Sequence, residues 1–266
     1  MRYGAMNSPF LPVLDEIAVF ADMGFDYLEL TMDSPCARYT DILCQKNDIT
    51  NALKSNEMEL VCHLPTFVYT ADLTESIRKA SLDEMCHSLE AASELGAIKT
   101  VLHPSMISGL GRFMTDTVKK LAMEAFEIIV NRADKLGICL CIENMLSPYG
   151  YYYEPEEFAI LFRQFPQTML NLDVGHAHID CYGIERILDF IKTLGYLIGH
   201  IHVSDNFGQD DDHLPIGGAV IDFPKVIKEI KKIGYNDTIT LEIFTEDRKD
   251  LKKSLKLFSD IVDSDS

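Results

Sequence analysis

Basic residues are scarce in this chain: 24 Lys and Arg stand against 42 Asp and Glu, a formal net charge of −18. So acidic a chain is repelled by nucleic acid and by anionic membrane unless its cations gather on one face. Its lysines do gather, but in the last two helical segments (Lys225, Lys228, Lys231, Lys232, Lys249, Lys252, Lys253, Lys256). Long apolar runs are also missing. None approaches the ~18 residues of a membrane span. The opening MRYGAMNSPF has no apolar signal core, so a cytoplasmic protein with no membrane partner is expected. The seven cysteines, at 36, 44, 62, 86, 139, 141 and 181, include no CxxC pair of the metal-binding kind. Several of them, such as Cys62, Cys139 and Cys141, lie in apolar segments and read as reduced, buried thiols. The turn after the first expected strand, AMNSPF, lacks the Gly-rich phosphate fingerprint of a doubly wound sheet. No linker, low-complexity tract or second domain stands out.

What the chain does have is one phrase repeated. A helix-like segment ends in Gly and an apolar strand follows, as in ADMGFDYLEL, SELGAIKTVL, DKLGICLCI, KTLGYLIGHIHV and KKIGYNDTITLEI. Glycine just past a helix end takes the left-handed cap without a Cβ penalty. The pattern predicts strands near 2–6, 27–31, 59–63, 99–103, 138–143, 169–173, 199–203 and 238–243. Helices are expected over 11–23, 76–95, 115–136, 154–164, 184–194, 222–233 and 247–262, with a weak one near 40–55. Eight strand–helix units in 266 residues, 47% of them hydrophobic, predict a single α/β domain over 1–266, a closed parallel (β/α)8 TIM barrel with outer helices. The tail from 260 to 266 is expected to fray.

Nine metal-type side chains fall where these strands end. They are His63 in VCHLP, His103 in VLHPS, Glu143 in CIEN, Asp173 and His176 in LDVGH, His202 in IHVSD, Asp211 and His213 in DDH, and Glu242 in TLEIF. A buried strand has no reason to end in an imidazole or carboxylate, because desolvating such a group is costly unless something pairs with it. A shared divalent cation supplies that pairing. In this fold all strand C-termini face one mouth, where active sites lie. The bland alternatives are structural ion pairs for the carboxylates, satisfied core histidines for His63 and His103, and a solvated turn for Asp211 and His213. His178 reads as structural, His200 as a structural residue facing the outer helices, and His87 as having no role.

The motifs CHLP, LHPS, IEN, LDVGHA, HIHVSD, DDDHLPIGG and LEIF resemble those of the xylose-isomerase-like TIM barrels, the superfamily of sugar phosphate isomerases and epimerases and of endonuclease IV-like enzymes. The resemblance covers nearly the whole chain and has two branches. The epimerase branch implies one divalent ion held by Glu143, Asp173, His202 and Glu242, with the two glutamates as acid and base on opposite faces of the substrate. The endonuclease IV branch implies three zinc ions. His63, His103 and Glu143 would hold the first, Glu143, Asp173, His202 and Glu242 the second, and His176, Asp211 and His213 the third. Two departures cut in opposite directions. Ketose 3-epimerases usually place an Arg about six residues after the strand-seven His, where this chain has Gly208. Endonuclease IV has a DNA-invading Tyr-Leu pair after the strand-three His, where this chain has Leu64, Pro65, Thr66 and Phe67.

The expected mouth is poor in cations, with Arg38, Arg112 and Arg248, and rich in acid, with Asp205, Asp210, Asp211 and Asp212. Duplex DNA needs ~6–10 phosphate contacts from basic or N–H groups, so nucleic acid is disfavoured as a partner, and a sugar phosphate more weakly so. Aromatic residues are expected there instead: Phe67 and Tyr69, and Tyr149, Tyr151, Tyr152 and Tyr153 of SPYGYYYEP. They suit a neutral polyol. The expectation is therefore a metal-dependent isomerase or epimerase of a small sugar or sugar-like hydroxy-ketone, working through an enediolate. The alternative is a zinc-dependent phosphodiesterase of the endonuclease IV type. Glu143 and Glu242 are the expected catalytic groups, and Phe67, Tyr151 and Asn144 the expected substrate contacts. One to three ions are expected, Zn or Mn before Fe or Co. Homo-oligomers are common in such barrels by analogy.

Overall fold

The structure, a computed structural model, describes residues 1–264 apart from 108, 147–150, 181–182 and 246. Eight strands form a closed all-parallel barrel in sequence order, sealed by pairing of the first with the last. They are β1 (Arg2–Met6), β2 (Tyr27–Thr31), β3 (Glu59–His63), β4 (Lys99–Leu102), β5 (Cys139–Glu143), β6 (Met169–Asp173), β7 (Ile198–Val203) and β8 (Thr238–Leu241). Each lies within two residues of its sequence expectation at both ends. The helices outside them are α1 (Val13–Met23), α2 (Tyr39–Cys44), α3 (Lys46–Ser55), α4 (Glu75–Leu95), α5 (Thr115–Leu136), α6 (Pro155–Gln164), α7 (Val174–His178), α8 (Gly183–Leu194), α9 (Phe223–Lys232) and α10 (Arg248–Ser264).

The repeated Gly does what its position requires. Gly96 and Gly137 sit at φ 77° and 69°, and each cap N–H returns to the last turn of its helix, at Ser93 and Asp134. A residue with a Cβ would be strained there. The helices are held by apolar stripes. In α9, FPKVIKEIKK buries Phe223, Val226, Ile227 and Ile230 while its lysines face outward. Burying each such side chain contributes roughly 1.5–3 kcal/mol.

Three differences from expectation have plain causes. The weak helix near 40–55 is two helices that meet at Gln45. The tail does not fray from 260: α10 continues to Ser264 because Phe258 and Val262, one turn apart, are both buried. His200 does not face the helices. It is fully buried and bonded to Glu29 and Thr238. Residues two apart on a strand share a face, so His200 must point the same way as His202. Of the cysteines, Cys62 and Cys141 are buried as expected, Cys44 is exposed, and Cys181 lies outside the described residues.

Candidate metal centre

Four side chains converge where β5 to β8 end. His202 Nδ1 lies 3.1 Å from Glu242 Oε2, 3.4 Å from Glu143 Oε2 and 3.8 Å from Asp173 Oδ2. All four residues are buried. Donors sharing one ion at roughly 2.0–2.2 Å stand about 3–4 Å apart, and the three distances from His202 Nδ1 fall in that range. A second group adjoins the first: His63 Nε2 is 3.5 Å from Glu143 Oε2, and His103 Nε2 is 3.2 Å from Glu143 Oε1. In each group one donor atom per residue lies within 4.8 Å of the others. The remaining three expected residues also meet. Asp211 Oδ2 is 3.2 Å from His176 Nε2 and 3.1 Å from His213 Nε2, while His176 Nδ1 is 3.2 Å from Glu143 Oε1. All nine side chains therefore form one connected site around Glu143.

The imidazoles are aimed by their other nitrogen. The Nδ1 of His63 donates to the Leu64 carbonyl at 2.8 Å, that of His176 to the Asn144 carbonyl at 2.9 Å, and that of His213 to the Glu242 carbonyl at 3.1 Å. In each ring this leaves Nε2 for the site. His202 is turned the other way: Nε2 donates to Glu29 Oε1 at 2.9 Å, leaving Nδ1 for the site. Fixing one ring nitrogen so that the other can bind metal is how protein imidazoles are usually prepared as ligands.

Electrostatics favour a cation at the centre. Burial would raise Glu143, but the imidazoles of His103 and His202 hold it well below the usual carboxylate range. Asp173 goes the other way: burial pushes it up to about 7, and Glu143 and Glu242 add to the push. Burial would lower His202, but Glu29, Glu143 and Glu242 raise it well above its ordinary value. His213, likewise opposed by burial, is raised by Glu242 and Asp211 to about 9. Buried polar atoms are nearly always hydrogen-bonded. Here His63 Nε2, His202 Nδ1, Glu143 Oε1, Asp211 Oδ1 and Glu242 Oε2 are buried without such a partner. Lone pairs of mixed imidazole and carboxylate donors facing one another fit a divalent cation.

The mouth above holds a cavity of about 1220 Å³. His63, His103, His176, Asp211, His213 and Glu242 line it, together with Phe10, Phe67 and Phe244. Phe67 is 76% exposed and free to meet a ligand. Tyr151 corrects the expectation. It is 4% exposed, packs with Ala71, Ile107, Val118 and Ala122, donates its hydroxyl to the Ser105 carbonyl, and is not among the described residues lining the cavity. Tyr152 turns to Met123, and Tyr149 lies outside the described residues. Asn144 spends its amide on Asp173, accepting from its N–H at 2.8 Å and donating to its carbonyl at 2.9 Å. Its side-chain amide is thus committed to the Asp173 backbone. Arg38 and Arg248 do line the cavity, but Arg38 is bonded through two nitrogens to Glu84 and Arg248 is paired with Glu16. Asp205 is not a mouth charge at all. Its carboxylate accepts the N–H groups of Asn206, Gly217, Ala219 and Ile221.

Sequence reasoning missed Glu29. The signal was present: a charged residue stands between Leu28 and Leu30 in a strand that is otherwise apolar through its buried middle. Gly208 also has a structural reason. It sits at φ 82°, its N–H donates to Asn206 Oδ1, and its carbonyl accepts from the Asp180 N–H.

The comparisons agree with the barrel fold. An uncharacterised protein of Methanocaldococcus jannaschii is 27% identical over 99% of this chain and 90% of its own length. A fructoselysine 3-epimerase of Escherichia coli O157:H7 is 21% identical over 96% of this chain and 95% of its own. Among solved structures, a D-tagatose 3-epimerase-like protein superposes with a TM-score of 0.84 at 24% identity, covering 100% of this chain and 98% of the other. The family described as xylose isomerase-like TIM barrel matches residues 17–261, and the chain belongs to that family.

Proposed function

We propose that this protein is a divalent-metal-dependent epimerase or isomerase of an unphosphorylated keto-sugar or similar hydroxy-ketone. The observation that carries the reading is the convergence of Glu143 and Glu242, each within 3.4 Å of His202 Nδ1, at the base of a cavity that Glu242 lines. One carboxylate takes the proton from the carbon next to the substrate carbonyl, and the electron pair moves onto oxygen to give an enediolate. The other carboxylate returns a proton, and a return to the opposite face inverts the stereocentre. Glu143, Asp173, His202 and Glu242 would hold the ion, which when bound polarises the carbonyl and the adjacent hydroxyl and so acidifies the C–H bond. The epimerase names among the relatives support this reading.

The cavity wall supports an uncharged substrate. Its arginines already serve Glu84 and Glu16, so neither is available to a phosphate without breaking an ion pair. Gly208 in place of an Arg implies that the substrate's far end is held differently from that of the ketose 3-epimerases. One observation favours the zinc phosphodiesterase instead: Asp211 bridges His176 and His213 as a third group of donors.

Glu242→Gln keeps the shape and removes the base. It is expected to abolish exchange of the substrate's α-hydrogen with deuterium from solvent while the far-ultraviolet circular dichroism stays unchanged. Retained exchange would remove Glu242 from the mechanism. Elemental analysis separates the two branches. About one ion per chain, unaffected by His213→Ala, fits the epimerase. Two or three zinc ions lost stepwise, with cleavage of abasic duplex DNA, fit the hydrolase.

A further inference from the structure

The middle of a TIM barrel is normally packed with branched apolar side chains. Here it holds Glu29, His200, Thr240 and Tyr27, all fully buried. Glu29, His200 and His202 lie close enough together to hold an ion of their own, and nothing in the proposed reaction uses Glu29 or His200.

The donors in this layer decide what it is. Both oxygens of Glu29 are occupied by hydrogen bonds. Oε1 accepts from His202 Nε2 at 2.9 Å, and Oε2 accepts from His200 Nε2 at 2.9 Å and from the Thr240 hydroxyl. The donors are themselves held. Tyr27 reaches Thr240 at 2.8 Å, His200 Nδ1 accepts from the Thr238 hydroxyl at 2.6 Å, and Thr238 accepts from Lys99 Nζ at 3.0 Å. Every hydrogen in the chain points toward Glu29. None of these atoms is among the buried atoms without a partner, whereas the site-facing atoms of His202, Glu143 and Glu242 are. The lower layer is a satisfied hydrogen-bond network and the upper one is not.

We infer that Glu29 is a positioning residue: held by three donors, it locks Nε2–H of His202 and thereby aims Nδ1 into the metal centre. The inference rests on reading the upper group as a metal site. Its importance follows from a contrast. His63, His176 and His213 are each oriented by a main-chain carbonyl at the barrel mouth, of Leu64, Asn144 and Glu242. His202 sits within β7, so its second nitrogen faces the barrel interior and needs a side chain to meet it. A carboxylate there also places negative charge behind the ligand ring, which raises its basicity.

Glu29→Gln tests this, because an amide has one acceptor where three donors converge. Either orientation of the amide sets its NH2 against an N–H of His202 or of His200. Competition titration with Co(II) is expected to show affinity reduced about 10–100-fold, with an altered Co(II) absorption spectrum and unchanged circular dichroism of the chelated protein. Equal affinity with the same spectrum would overturn the inference. Loss of a second ion while the first binds at full strength would overturn it in favour of a lower metal site. If the unaltered protein binds no Co(II) at all, the metal reading itself falls, and the inference with it. Should Glu29→Gln not fold, Thr240→Val removes one of the three donors and leaves the others. It is expected to weaken Co(II) binding a few-fold and change the spectrum, and no change in either overturns the proposal.

Discussion

A proton and a divalent cation compete for the same imidazole lone pair, so the ligand set has a pH dependence whose sign can be worked out. In metal-free protein His213 has a folded value of about 9 against an ordinary 6.5, raised by Glu242 and Asp211 against the effect of burial. A group raised in this way stabilises the fold fully below its unfolded value and loses that contribution as pH climbs through its folded one. Asp173, pushed up to about 7 chiefly by burial, adds a cost that grows as pH rises from its ordinary range toward 7. Both effects run the same way. Chelated protein is therefore expected to lose up to about 3 kcal/mol between pH 6.5 and 9.5. Urea unfolding at the two pH values checks this, and equal midpoints would contradict it. Metal-loaded protein should show the opposite trend over that range, because affinity rises as the protons leave.

The loop between β7 and α9 carries Asp211 and His213, and one carboxylate gathers much of its backbone. Asp205 exchanges backbone bonds with Leu214 at 2.9 Å in both directions, and its side chain takes four N–H groups from residues 206 to 221. The element thus closes on itself before it presents Asp211 and His213. Asp205→Asn puts an amide NH2 against N–H donors. It is expected to cost about 2–4 kcal/mol and to loosen metal binding through Asp211 and His213, although Asp205 touches no ion. Denaturant midpoint and metal stoichiometry measure the two effects separately. A neutral substitution would show that the loop is held by its apolar contacts instead. The short helix α7 has a similar cause. Asp173 Oδ1 accepts the His176 N–H at 2.6 Å, so a candidate site carboxylate doubles as the cap that turns the chain and brings His176 over the site.

Across the whole molecule, the net charge of −18 and the buried carboxylates at the barrel mouth lead us to expect that a bound cation stabilises the fold. An ion that binds the folded chain and not the unfolded one stabilises it by about 2.7 kcal/mol at a hundred times its Kd. For a domain of this size that corresponds to roughly 5–10 °C in Tm. Thermal unfolding with Mn or Zn against chelator should show a rise of that order, and Mg should do less, since it prefers oxygen donors. No rise with any transition metal would argue against a metal centre.

The barrel was legible in the sequence because its signals are local. A Gly past several helix ends, an apolar run after it, and a His, Asp or Glu closing most of the runs depend only on neighbouring residues, and they located the strands to within two residues and marked most of the side chains that meet at the mouth. What needed the tertiary structure was whatever depends on meeting a distant part of the chain. Tyr151 reads as a ligand-facing aromatic in a loop, yet it turns inward because Ser105 and α5 offer it a partner. Asp205 reads as a surface acid, yet it is a backbone clamp. His200 needed only the two-residue period to be placed inside the barrel. Glu29 needed more, since its role exists only because β2 and β7 face each other across the barrel axis, a juxtaposition 173 residues apart in the chain. The nine candidate site residues could be found one by one along the sequence, whereas the side chain we infer to aim His202 came into view only when the barrel closed.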